Sequence, residues 1–424
     1  MADISAIDLS TYDPMDRTIQ QCPFDHYAAL RSHGPVFHDA QTAMFFVARY
    51  DIVSRVLRDT ETFSSRGSNA KTLGSPEVMA RVAEILAEGW PNADTLLNID
   101  PPVHTRYRKL VSVAFSPRRI AALEAMVREI AVDLIEHFPA KGAVDFHNDF
   151  AVALPVRVIH RALNMAPDTL DKIKEWSAAF NVALGATPTD ERRLFAARKS
   201  LEVQQYWHGE YQDRLANPVD DILSDLAHAD FDDPDLRDGE TRKLTFSEAY
   251  SIVRQLMVAG NETTTKFLNE TMRLLIENPK WWRALEQGGD GVVAGVVEEG
   301  LRMSSPNQGL FRTATRDTEI DGIAIPQGAR LWVMFAAADR DDTVFADAET
   351  FNPERPNVRE HVAFGKGHHF CIGAPLTRLE GKVAFEELSK RIRLPGFSPN
   401  NTFEYEPSFI LRGLMKLDLE VEKR

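Results

Sequence analysis

Residues 246–277 restrict most what this chain can fold into. The run YSIVRQLMVAGNETTTKFLNETMRLLIENP puts apolar or small residues at 253, 257, 260, 264 and 267, alternating steps of four and three that place them on one helical face. Inside that stripe sit Gly260 and three consecutive threonines, 263–265. Gly in a helix interior costs about 1 kcal/mol relative to Ala, and β-branched threonines form helix poorly and bond back to the carbonyl four residues earlier. Local preference and helical period disagree, as they do at functional or strained sites, so a kink or π-bulge open to water or a ligand is expected here. Glu262 beside Thr263 supplies an acid next to an alcohol, a pair able to pass protons. The same residues also read as a tolerated glycine in a core helix, with satisfied threonines and a surface ion pair at Glu262.

Further helical spacing runs over 118–137, 167–184, 190–215, 291–303 and 375–393. MFFVARY (44–50), RLWVMFAAA (330–338) and the segment 402–422 read as strands, and SSRGSNAKTLGSP (64–76) as loop. The fold class expected is mainly α with a minor β region, as one catalytic unit over 1–424: a β-richer part at about 20–65, a helical part at about 98–393 and a C-terminal β region at about 400–422. A net charge of −14 argues against a broad nucleic-acid-binding surface. The longest apolar run, 331–338, is too short to span a bilayer, and the N-terminus lacks the pattern of a signal peptide. A soluble cytoplasmic monomer is expected. Two cysteines, Cys22 and Cys371, cannot form a disulfide framework or ligate an iron-sulfur cluster by themselves.

HVAFGKGHHFCIGAP, residues 361–375, frames Cys371 with glycines at 365, 367 and 373. Such glycines permit tight turns and close approach of backbone to a flat partner. The helix expected after it puts Cys371 near an N-terminus, where N–H groups favour a thiolate suited to iron. Three other readings stand beside this one. They are an inert buried cysteine, zinc held by His368, His369 and Cys371, and a cysteine nucleophile with a histidine base.

The stretch resembles the haem-thiolate signature of the cytochrome P450 family, with Phe364, Gly367, Cys371 and Gly373 on a Phe-x-x-Gly-x-x-x-Cys-x-Gly frame. Other motifs follow in the family's order, covering the chain from about residue 98 to the C-terminal strands. Ala259, Gly260, Asn261, Glu262 and Thr263 match the motif of the family's long central helix; Glu299 and Arg302 form its Glu-x-x-Arg pair; FNPERP supplies Arg355. AADRDD, 337–342, departs from the family's Ala-Asn-Arg-Asp-Pro at a turn.

The resemblance implies the P450 fold, haem b between the central and proximal helices, and Cys371 as the iron ligand. It implies His104, Arg108, Arg312 and His369 as partners of the haem propionates, with Phe364 and Gly365 also against the cofactor. The activity implied is a monooxygenase that inserts one atom of O2 into a hydrophobic small molecule, with Thr263 and Glu262 handling protons. Ala259, Leu310, Phe409, Ile410 and Phe180 are the implied substrate contacts, Arg66 or Lys71 a carboxylate partner, and Asn307 or Gln308 a carbonyl partner. Electrons are expected from a separate ferredoxin or flavodoxin with its NAD(P)H reductase; Lys366 and Arg378 read either as plain surface charges or as docking charges for an acidic partner. A peroxide-driven oxidant, a non-catalytic haem sensor and a haem-free binding module are the competing functions.

Overall fold

The stripe becomes one helix, Phe246–Glu277, of 32 residues, about 48 Å long at 1.5 Å per residue. Its start is fixed by a capping box in which Thr245 Oγ1 accepts from the Glu248 N–H at 3.3 Å and the Glu248 carboxylate accepts from the Thr245 N–H at 2.7 Å. The computed structural model describes residues 7–67, 75–181, 189–233, 236–237, 239–288 and 291–424.

Two apolar cores form on this helix. Its first half contributes Tyr250, Ile252, Val253 and Met257 to one core, with Trp176, Trp207 and Tyr211. The second half gives Phe267, Leu268, Met272 and Leu275 to another, with Trp282, Phe385 and Leu388. Between the two, Ala259 is exposed and Gly260, Glu262 and Thr263 are half-buried. No π-bulge forms at Gly260, because the helix stays α-helical throughout. Side chains absorb the conflict: Thr263 Oγ1 donates to the Ala259 carbonyl at 2.7 Å and Thr265 Oγ1 to the Ala151 carbonyl at 3.0 Å. The π-helical turn lies instead at His147–Val152, packed on this helix.

The other helical expectations become Leu170–Asn181, Asp190–Ala216, Val292–Ser304 and Ala374–Arg391. The stretch 118–137 divides into Pro117–Ala122 and Glu124–Glu136. The stretch read as loop, 64–76, runs into a helix outside the expected helical stretches, Pro76–Ala87, started by Pro at its first position and by Ser75 Oγ accepting from the Val78 N–H at 3.3 Å.

Five strands form the larger sheet in the order Phe37–Asp39, Met44–Val47, Arg330–Val333, Leu310–Ala314 and Phe63–Ser64. The segment 20–65 that holds three of them also contains the helices Phe24–His33 and Tyr50–Arg58. RLWVMFAAA is a strand only to Val333 and turns into the short helix Phe335–Ala338. In the C-terminal segment the strand expectation holds for Asp418–Glu422, which pairs with Lys141–Asp145 and Gly396–Phe397. Before it the chain makes single bridges, Tyr405 with Leu414 and Leu411 with Asn307. Phe403 at φ 51° and Ser408 Oγ, which accepts from the N–H groups of Ile410 and Leu411, bend that stretch away from a ladder. Among the described residues no helix is long and apolar enough to cross a membrane.

Candidate functional site

Cys371 follows a 3-10 turn, Gly367–His369, and precedes the helix Ala374–Arg391. Gly365 and Gly367 take φ of 68° and 69°, and a Cβ at Gly367 would lie 2.7 Å from the Leu57 carbonyl oxygen, so that position admits only glycine. The Cys371 N–H donates to the Phe364 carbonyl at 2.9 Å, closing the loop. Helix Val292–Ser304 braces both sides of it through buried Glu298. That carboxylate meets His361 Nε2 at 3.0 Å and Arg378 Nε and Nη2 at 2.7 and 2.9 Å. Burial alone would raise Glu298, and those donors overcome it to hold the group near 2.

Burial pushes Cys371 up, while the N–H groups of Gly373 and Ala374 at the helix start and the charges of Arg108 and Arg378 draw it down.

His104 and Arg108 lie one turn apart on the helix Val103–Ala114, Arg312 on the strand Leu310–Ala314, and His369 in the cysteine turn. The fold brings them into mutual influence. The rings of His104 and His369 are 4.2 Å apart, and His369 Nε2 is 3.1 Å from Ser65 Oγ. Burial first, then the neighbouring positive groups, push His104 down to about 4 and His369 to about 3. Arg312 is pushed to about 10 by burial, opposed by Asp100, and Arg108 is lowered by burial, opposed by Cys371. Asp100 is already engaged, accepting from the Ser65 N–H at 2.9 Å and Ser64 Oγ at 2.5 Å. His104 Nδ1 and Arg312 Nε are buried without a hydrogen-bond partner. Two guanidiniums and two imidazoles with orphaned buried nitrogens fit the two carboxylates of haem b, next to the cysteine turn.

The zinc reading finds no support: His368 is exposed, and among the described residues no three His, Cys, Asp or Glu side chains gather to hold a metal. Phe364 packs under the Arg378 guanidinium at 4.8 Å, and a Cβ on Gly365 would lie 3.8 Å from Phe335 Cζ. Glu299, Arg302 and Arg355 form a buried network, with Arg302 Nε 2.8 Å and Arg355 Nε 3.3 Å from the Glu299 carboxylate. The departing turn joins this network. Asp339 carries its carbonyl to Arg302 Nη1 at 2.6 Å, and its carboxyl caps the Val362 N–H at 2.5 Å, so it holds the entry to the cysteine loop.

Around Ala259 and Thr263, Glu262 pairs with Lys266 at 2.8 Å, a contact visible in the sequence only as a four-residue spacing. Phe180 lies under the Arg254 guanidinium at 5.6 Å against the core of the central helix's first half. Leu310 packs on the sheet core with Phe335. Phe409 and Ile410 join a separate cluster with Phe46 and Trp332. Gln308 is used internally, accepting from Tyr27 OH at 3.1 Å and donating to the Ser305 carbonyl at 2.6 Å. Asn307 Oδ1 accepts from the Gly309 N–H at 3.2 Å, and Arg66 is 3.9 Å from Asp100. Lys71 lies outside the described residues. The two charges read as surface or docking groups are engaged inside the fold, Lys366 with Tyr50 OH at 2.6 Å and Arg378 with Glu298.

A family model described as Cytochrome P450 matches residues 190–395. Linalool 8-monooxygenase of Pseudomonas putida is 30% identical over 387 residues, 89% of this chain and 91% of that one. Erythromycin C-12 hydroxylase of Saccharopolyspora erythraea is 32% identical over 369 residues, 87% and 86% of the two chains. Among solved structures, CYP109Q5 from Chondromyces apiculatus superimposes with a TM-score of 0.82 at 31% identity, covering 97% of this chain and 98% of that one. Cytochrome P450 CREJ in complex with (4-ethylphenyl) dihydrogen phosphate gives 0.86 at 28% identity, covering 97% and 99%. With the cysteine loop, the central helix and these likenesses in agreement, the chain belongs to the cytochrome P450 family, monooxygenases that bind haem b.

Proposed function

We propose that Cys371 ligates the iron of haem b, that His104, Arg108, Arg312 and His369 hold its propionates, and that the chain, acting as one catalytic unit, oxidises a hydrophobic small molecule. The observation that carries the reading is the cluster of His104, Arg108, Arg312 and His369, with buried nitrogens of His104 and Arg312 left without a partner, beside the glycine-framed turn that holds Cys371. Haem bound there supplies the chemistry that activates O2 and inserts one oxygen atom into substrate.

The protein's own residues do the remaining work. Gly365 and Gly367 keep the loop thin so that its backbone can lie against a flat ring. Glu298 and Asp339 hold the two ends of that loop and so fix where the sulfur stands. On the central helix, the exposed Ala259 would offer substrate a contact, and the Thr263 hydroxyl with the Glu262 carboxylate would pass protons from solvent. Phe180 and Leu310 give the substrate pocket an apolar lining. Electrons come from a separate ferredoxin or flavodoxin with its NAD(P)H reductase.

The deciding measurement is the spectrum of the reduced protein under carbon monoxide. Thiolate ligation puts the main band well to the red of histidine ligation, and Cys371→His is expected to abolish that band and substrate oxidation together. A histidine-type band in the unmodified protein overturns the reading. A purified protein that takes up no haem overturns it as well.

A further inference from the structure

Lys266 lies one turn beyond Glu262 on the central helix and is only 5% exposed. Its Nζ is 2.8 Å from Glu262 Oε2 and 2.7 Å from Glu406 Oε2. Glu406 arrives from the C-terminal turn, where its N–H donates to the Gly413 carbonyl at 3.0 Å. That turn is shaped around the lysine stem, since a Cβ on Gly413 would sit 2.2 Å from Lys266 Cγ. Burial lowers the ammonium's proton affinity, and the two carboxylates more than restore it. Other charged groups act on the cluster from the neighbouring strand and π-helical turn. His147 feels Asp145, Lys266, Glu262 and Glu406, and its Nδ1 is 2.8 Å from Asn269 Nδ2.

A buried ammonium is costly to strand. With one carboxylate partner, losing that partner would leave the charge alone in the interior. With two, either can leave while the other stays. Glu262 is drawn along the helix to Lys266, while the Thr263 hydroxyl next to it is turned to the Ala259 carbonyl, so neither group holds the other.

We propose that Lys266 and Glu406 are positioning residues for Glu262: Lys266 parks its carboxylate away from Thr263, and Glu406, by taking over the ammonium, lets Glu262 swing free to serve the hydroxyl. This rests on the reading of Glu262 as a proton-passing acid. No covalent step is involved. The Lys266–Glu262 pair opens while the Lys266–Glu406 pair stays, so the buried ammonium is never stranded and the partly exposed Glu262 carboxylate is solvated.

The sharing itself is tested without turnover, by thermal unfolding of the haem-loaded protein. Glu262→Gln and Glu406→Gln are each expected to lower Tm by about 1–2 °C, and the double variant by more than twice their sum, because only then is Lys266 stranded. Additive shifts overturn the sharing. The functional half is tested by Glu406→Gln, which leaves Glu262 as the sole carboxylate partner of Lys266. Product formed per reductant consumed should fall about threefold and the solvent deuterium isotope effect on turnover should grow, with the substrate dissociation constant unchanged. Lys266→Met, which frees Glu262, should show no such growth. If Glu406→Gln keeps the wild-type ratio and isotope effect, the positioning role is wrong. If Glu262→Gln itself leaves product per reductant unchanged, it is the reading of Glu262 that fails, and the Tm cycle still decides the sharing.

Discussion

Two sets of buried charge meet at the Cys371 loop, and they are completed to different degrees. In the first, Glu299 accepts from Arg302 and Arg355, and Arg302 passes on to the carbonyl of Asp339, whose carboxyl caps Val362. Both signs are present. In the second, Arg108 and Arg312 are the charged members, the imidazoles of His104 and His369 are held neutral, and two of the set's buried nitrogens have no partner. A closed network of both signs is scaffold, because it asks for nothing more. An open set of one sign is a receptor for charge that the chain does not supply.

Breaking the closed set should produce the largest effect. Glu299→Ala leaves two guanidinium groups, 0% and 5% exposed, without their carboxylate. The expected loss is about 3–5 kcal/mol in a urea unfolding titration, a large share of a typical protein's stability. A loss below about 1 kcal/mol would mean that this network is not the scaffold.

Opening the second set further should have the opposite sign in the protein without cofactor. Arg312→Leu removes a buried guanidinium that costs more than it returns, so the haem-free protein is expected to unfold at the same Tm or higher. Its affinity for haem should fall by about tenfold, the worth of one charge-assisted contact. Calorimetry of the haem-free protein and a haem titration read the two effects separately. A destabilised haem-free protein with unchanged haem affinity would move Arg312 to the scaffold.

The same contrast explains what the sequence disclosed. Period made the central helix and the helix after Cys371 legible, and glycine spacing made the cysteine turn legible, because both are local. The short strands were less so. RLWVMFAAA alternates like a strand for four residues and then turns helical at Phe335, where the Ala336 N–H is taken by the Gln308 carbonyl at 3.2 Å. Likewise, His104 and His369 are 265 positions apart, and only a known family pattern could place them together before the fold was seen. Glu298 carried no signal beyond sitting next to Glu299, although it braces both sides of the cysteine loop. The helix Pro76–Ala87 was missed despite a readable start, Ser-Pro followed by Glu, because the Gly/Ser-rich stretch before it dominated the window.

Thr263 lies on the central helix between its two apolar cores and tests the proton-passing reading without touching either charge set. Thr263→Ala keeps the helix, since the lost hydroxyl bonds only to the carbonyl one turn back. Product per reductant is expected to fall on the order of tenfold, with hydrogen peroxide taking up the difference and the carbon monoxide spectrum unchanged. Full product yield would remove Thr263 from the chemistry.

The smallest effect concerns a third kind of buried charge, one that has no ion-pair partner at all among the described residues. Glu380 lies on the helix Ala374–Arg391, 2% exposed, and burial pushes it up to about 8, with Thr264 only partly opposing. An unpaired buried acid keeps its proton. In the unfolded chain it ionises near 4.5. Between those values the folded state holds a proton that the unfolded state has lost, so Glu380 contributes fully below about pH 4.5 and its contribution declines as pH rises toward 8. Glu380→Gln does not titrate. The Tm of the variant minus that of the wild type should therefore be near zero at pH 5 and rise to a positive value by pH 8, by a few °C at most for a chain of this length. A difference that is flat in pH would mean that Glu380 is ionised in the folded protein and has found a counter-charge, which would put it with Glu299 in the closed set and not with the open cluster of Arg108 and Arg312.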